Sequence, residues 1–376
     1  MNVLRRAAPC ALGLLSALSW SQGSAAEELP QFPPAAVWNQ NISAAPLHPN
    51  SPSMIATLDG LGGFGNGRMQ IDFSLRLVQA AAGAPTRTIV EHPDGYYLPD
   101  CEPLGTAMPV PANATIEGQP GLVCDNETED CHLLVVQGNV LYEAYKVTAA
   151  SSTQLEALCL AVWQLGVVYP AEGRGDHCTS ADAAGFPMAP LLFNADEIQA
   201  SLDIDPSGNG DIGHAIRFIL PNGRMASDAT LGGVNGRLYV RPATHAGGPS
   251  GPKESVPYGA RLRLRSDFPL TNYSAAAKVI LNTFKRYGIV LADGGTVALT
   301  AESDLYTTTK WAGLSITPQV FYQTPGAASV DISDFEVIDT GTRIGETYDC
   351  VRTVIVQIFA DGFESGDISA WASSVP

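Results

Sequence analysis

Apolar and polar residues alternate with period two over residues 69–78, which predicts one strand with a single buried face. Residues 131–137, 140–147, 215–220, 237–241 and 260–264 also read as strands, and Gly, Pro and Asn punctuate the gaps between them. A helical period is clearest over 274–287, where Ala277, Ile280, Leu281 and Phe284 share a face. Thr271, Asn272 or Ser274 would cap its start, and Gly288 stands where a left-handed residue ends a helix. A strand over 289–292 follows, and residues 152–165 and 195–202 read as further helices. Many short strands and few helices predict a mainly β fold, an antiparallel β-sandwich or jelly-roll-like architecture with a few short helices. No repeat of solenoid or propeller length is present. Residues 27–54, rich in Pro, Ala and Asn, form an N-terminal arm; 55–350 form a single β-rich domain; 351–376 form a C-terminal tail.

The first 26 residues change the picture. Arg5 and Arg6 precede an apolar run over 7–20, and Ser24, Ala25 and Ala26 follow. This pattern is that of a secretory signal cleaved near Ala26, and it predicts a secreted or periplasmic protein. No later apolar run is long enough to span a bilayer, so no membrane span is expected. The net charge of −17 argues against a nucleic-acid partner. Of the seven cysteines, Cys10 lies in the signal. Cys101, Cys124, Cys131, Cys159, Cys178 and Cys350 remain, an even set that predicts three disulfides in an oxidising compartment. Their pairing is not fixed by spacing, and a bridge to Cys350 would fasten the C-terminal part to the main body.

Candidate chemistry is scattered. Gly138-Asn139 reads as a two-residue hairpin turn, which pairs Gln137 with Val140 and puts His132, Leu134, Glu143 and Tyr145 on one face. The imidazole and carboxylate then serve as an acid–base pair or as an exposed polar pair. In the small-residue stretch 177–188, Asp182 serves as an acid, a base or a helix cap. Ser180 lacks the Gly-x-Ser-x-Gly setting of a serine hydrolase. His132, His214 and His245 come from separate segments and would have to converge to hold zinc or copper. Asp203 and Asp205 open a calcium-loop-like run, but His214 stands at its twelfth position where a calcium loop needs Glu. The glycines of 60–67 lack the strand and helix of a dinucleotide fingerprint.

Seven blocks in order, at 131–136, 141–143, 179–185, 214–218, 241–245, 257–264 and 286–295, resemble an uncharacterised family of secreted bacterial proteins. The resemblance spans about 45–340 and implies no reaction or ligand. The fifth block has Arg241 where the resemblance leads one to expect Trp. The tail resembles a C-terminal segment of many secreted proteins of Gram-negative bacteria. The resulting expectation is a secreted enzyme acting on a polysaccharide or other extracellular polymer, a glycoside hydrolase or lyase. Glu143, Asp182, His132 and His214 would be catalytic; Arg217, Arg241, Tyr145 and His245 would bind substrate. Calcium at Asp203 and Asp205 is a further option, and the expectation requires no cofactor. The alternatives are a non-catalytic binding or surface-associated protein, or a metal enzyme using the three histidines.

Overall fold

The computed structural model describes residues 29–125 and 130–353; the expected signal segment and most of the expected C-terminal tail lie outside the described residues. Sixteen strands in four sheets make the described chain sheet-rich. The largest sheet has the order Ile71–Leu75, Leu299–Glu302, Ile216–Leu220, Ile289–Gly294, Arg261–Leu264, Phe335–Val337. Helices α1 (Ser51–Gly60), α2 (Ala195–Ile204) and α3 (Ala275–Arg286) belong to the same core. The sheets are mixed rather than purely antiparallel, because four strand pairs among the described residues run parallel. One of these, Ile216–Leu220 with Ile289–Gly294, is separated in sequence by α3 and other elements, as a parallel pair requires.

Local chemistry explains α3. Its expected face is fully buried, the Ser274 hydroxyl accepts from the Ala277 amide at 3.2 Å, and Gly288 ends it at φ 73°. A side chain at 288 would stand 2.4 Å from the Leu262 carbonyl, so only glycine fits. The period-two run over 69–78 is not one strand. It breaks into Ile71–Leu75 in the large sheet and Leu77–Gln79 in a second sheet, and Arg76 at the break donates to Thr115 Oγ1 and to the Ile116 and Gln119 carbonyls.

That second sheet has the order Leu77–Gln79, Leu133–Gln137, Val140–Tyr145, Cys159–Gln164. Both of its faces are covered. Leu134, Val136 and Leu141 join the main core, while Leu133, Val135 and Ala144 join a smaller core with a third sheet of order Ala107–Pro109, Thr86–Glu91, Gln154–Ala157, Thr148–Ala149. Residues 133–136 are therefore continuously apolar rather than alternating. The hairpin register is as expected, with Gln137 opposite Val140 and Leu134 opposite Glu143, and Gly138 takes φ 57°. The helix expected over 152–165 is instead the two strands Gln154–Ala157 and Cys159–Gln164. Residues 157–161 are buried without a break, so both faces of the second strand are covered, and this outweighs the helical pattern there.

The arm is part of the fold. Leu29, Phe32 and Trp38 are buried in the main core, and α1 runs across the expected boundary at 54–55. Disulfides join Cys101 to Cys159, Cys124 to Cys131 and Cys178 to Cys350, as an oxidising compartment allows. The last of these fastens the C-terminal part to the middle of the chain. No helix among the described residues is long and apolar enough to cross a membrane.

Candidate functional site

Residues 178–188 form a buried loop fixed by its own side chains. Ser180 Oγ donates to the Phe186 carbonyl at 2.6 Å and accepts from the Asp182 amide at 3.0 Å. Asp182 Oδ1 accepts from the Ala184 amide at 3.0 Å, a local turn that small polar side chains favour. Gly185 sits at φ 76°, and a Cβ there would lie 2.1 Å from Thr244 Oγ1. We expect Gly185→Ala to cost at least about 2 kcal/mol in urea unfolding, since both the left-handed backbone and the close approach oppose it; an unchanged midpoint would mean that the loop yields freely.

Two histidines clamp this loop. His132 Nε2 lies 3.1 Å from the Ala181 carbonyl and His245 Nδ1 lies 2.7 Å from the Ala183 carbonyl. A carbonyl only accepts, so each of these nitrogens carries a proton. On its other side His132 meets Glu117 at 2.7 Å, and Glu117 also accepts from Ser74 Oγ at 2.7 Å. Burial pushes His132 down, but the Glu117 carboxylate overrides it and lifts the imidazole to about 9. Burial likewise pushes Glu117 up, and the charged His132 more than reverses this, to about 2. His245 has no such partner, and burial takes it down to about 4. Its ring is neutral at neutral pH, and its Nε2 lone pair has no partner among the described residues.

The loop forms one wall of a cavity of about 670 Å³. Behind it Arg217 reaches Asp182 Oδ2 through Nε at 3.1 Å and Nη2 at 2.6 Å, and donates through Nη1 to Thr300 Oγ1 at 2.7 Å. Burial raises the Asp182 carboxyl, and Arg217 opposes that rise. The same guanidinium stands 4.0 Å from Asp293 Oδ2. Asp293 lies near the end of a strand whose register slips, because Phe218 faces Leu291 but Ile219 faces Asp293. Ala292 is thus the extra residue of a bulge, and the bulge re-aims Asp293 at the cavity. Burial and the neighbouring Asp182 charge raise Asp293 to about 7, against the pull of Arg217.

Tyr97, Tyr145, Tyr258 and Tyr348 complete much of the lining. The Tyr258 hydroxyl is on a side chain only 1% exposed. It accepts from the Gly248 amide, and its own proton has no acceptor among the described residues. Tyr348 sits at φ 59°, a costly conformation. The buried Glu346 holds it there by accepting from the Tyr348 amide at 2.8 Å and the Ala246 amide at 3.0 Å. Cys178–Cys350 ties the same segment to the loop.

The expected site residues divide accordingly. Asp182, Tyr145 and His245 line the cavity, and His132 and Arg217 support its wall from behind. Glu143 does not join them. It is fully buried in the interior and accepts from the Met188 and Ala189 amides at 2.8 Å and from Trp163 Nε1 at 2.9 Å. Burial raises its carboxyl to about 7, yet it faces backbone rather than open space. His214 bonds Glu197 at 3.3 Å, and Glu197 belongs to the capping box of α2, so this histidine pins a helix. Arg241 pairs with Asp176 and borders a different, mostly apolar hollow of about 540 Å³ between Trp38, Trp163 and Pro242.

The metal options fare no better. His132, His214 and His245 each bond a different partner, and no group of three or more potential metal-ligating residues occurs among the described residues. Asp203 accepts from Gln199 on α2, and Asp205 accepts from Ser207 in an exposed turn. Sequence reasoning overlooked Asp293, Tyr258 and Tyr348. For Asp293 a signal existed, since an apolar strand over 289–292 ends abruptly in Asp-Gly-Gly, which puts a carboxyl at the strand's mouth beside a turn. No family model, curated protein or solved structure matches this chain.

Proposed function

We propose that this chain is an exported enzyme that hydrolyses a polysaccharide by acid–base chemistry in the 670 Å³ cavity. The observation that carries this reading is Asp293, a carboxyl aimed into the cavity by a bulge and held near 7 by burial and Asp182. At neutral pH about half of it carries a proton, which suits donation to a glycosidic oxygen. His245 Nε2 is unprotonated, and at about 4 it is as basic as an ordinary carboxylate. It would take a proton from the attacking water while the water oxygen bonds the anomeric carbon. The bond to the leaving oxygen breaks, and Asp293 protonates that oxygen. Asp182 positions the site through Arg217 and the loop rather than touching the sugar.

Charge favours hydrolysis over elimination. A lyase must neutralise a uronate carboxylate, whereas Asp100, Asp130, Asp182 and Asp293 line this cavity and Arg237 is the one arginine or lysine that lines it among the described residues. The test is reducing-end release from a panel of polysaccharides by the wild type and Asp293→Asn. Wild-type activity should fall as pH rises through about 7, and the variant should lose roughly 1,000-fold in kcat with Kd unchanged. Full activity in the variant would remove Asp293 as the acid. Binding without turnover in the wild type would make the protein a carbohydrate-binding module.

A further inference from the structure

The cavity has an excess of hydrogen-bond acceptors and of negative charge. Asp182 is matched by Arg217; Arg237, bonded to the neutral hydroxyl and ring of Tyr348, keeps its charge and offsets one of the remaining three carboxylates, Asp100, Asp130 and Asp293. Asp100 accepts from the Thr179 amide at 2.8 Å and has no ion-pair partner among the described residues. Asp130 is exposed beside the Tyr145 hydroxyl and also has no ion-pair partner among them. The His245 Nε2 lone pair adds an uncharged acceptor on the same lining. The buried Tyr258 hydroxyl keeps an uncommitted proton, a donor suited to an acceptor elsewhere on the same ligand, such as a sugar hydroxyl, and not to its ammonium. An ammonium group, with three donors and one positive charge, complements such a lining; an acetamide supplies one donor, and a carboxylate supplies none and is repelled.

We infer that this cavity holds an ammonium subsite, so that the polymer it takes is a 2-amino sugar chain with free amines rather than an N-acetylated, neutral or uronate one. This rests on the hydrolase reading above for the word polymer, and on the cavity alone for the ammonium. Calorimetric titration of the mature chain with the glucosamine disaccharide, the N-acetylglucosamine disaccharide and cellobiose, at slightly acid pH, tests it. The glucosamine disaccharide should bind about ten-fold tighter than the other two. Asp130→Asn should cut that advantage several-fold, and so should raising the salt. The Asp130 side chain is exposed, so thermal melting should confirm an unchanged fold in the variant. Equal affinities, no binding of any of the three, or tighter binding of the acetylated sugar overturns the inference. An ammonium preference without cleavage of any polymer would overturn the hydrolase reading alone; cleavage without preference would overturn the subsite alone.

Discussion

Arg217→Met should be the most destabilising single substitution near the cavity, costing about 3–5 kcal/mol in urea unfolding at neutral pH. Asp182 is fully buried, and Arg217 is its only ion-pair partner among the described residues. Removing the guanidinium leaves either an uncompensated buried charge or a carboxyl that must take up a proton to fold. The cost should shrink at low pH, where the proton is supplied. Arg217→Met combined with Asp182→Asn should recover most of the loss, because the Asn carbonyl still accepts from Ala184 as Asp182 does. A single variant as stable as the wild type, or a double variant no better than the single, would refute this account of the pair.

The parts of this fold legible in the sequence are those governed by local rules. The 138–139 turn fixes a hairpin register because two residues admit few geometries, and α3 carries its own cap, its apolar face and its terminal glycine. What failed depended on partners distant in the chain. Residues 69–78 alternate correctly, but their division between two sheets is decided by Arg76 and the carbonyls of 116 and 119, some forty residues away. The parallel pairs leave no local mark, so the strand pattern alone predicts an antiparallel sheet. The site shows the same division. Asp182 stood out because its small-residue loop is a local feature. Glu143 stood out equally, because alternation reports which face a side chain takes and not whether that face meets a cavity or a backbone turn. Tyr348 reaches the cavity through a bridge between Cys178 and Cys350, a pairing that spacing does not reveal.

The buried His132–Glu117 pair makes stability depend on pH in a defined window. His132 is raised from 6.5 to about 9, so its contribution is complete below about 6.5 and is lost as pH rises through about 9. Glu117 is lowered from 4.5 to about 2, so its contribution is complete above about 4.5 and is lost as pH falls toward about 2. The pair should therefore be fully effective between roughly pH 4.5 and 6.5, and each limb is worth about 3 kcal/mol. Other groups titrate over the same range, Asp293 among them, so the informative quantity is a difference. The neutral control is His132→Gln with Glu117→Gln, which keeps hydrogen-bonding capacity without charge. Between pH 6 and 9.5 the stability of the wild type relative to this control should fall by about 3 kcal/mol, read by urea unfolding at each pH. Parallel curves would show that the proton on His132 does not depend on folding. A fall of the expected size would also bear on the cavity. The imidazole that loses its proton is the one holding the Ala181 carbonyl, so the loop carrying Asp182 should loosen over the same alkaline range.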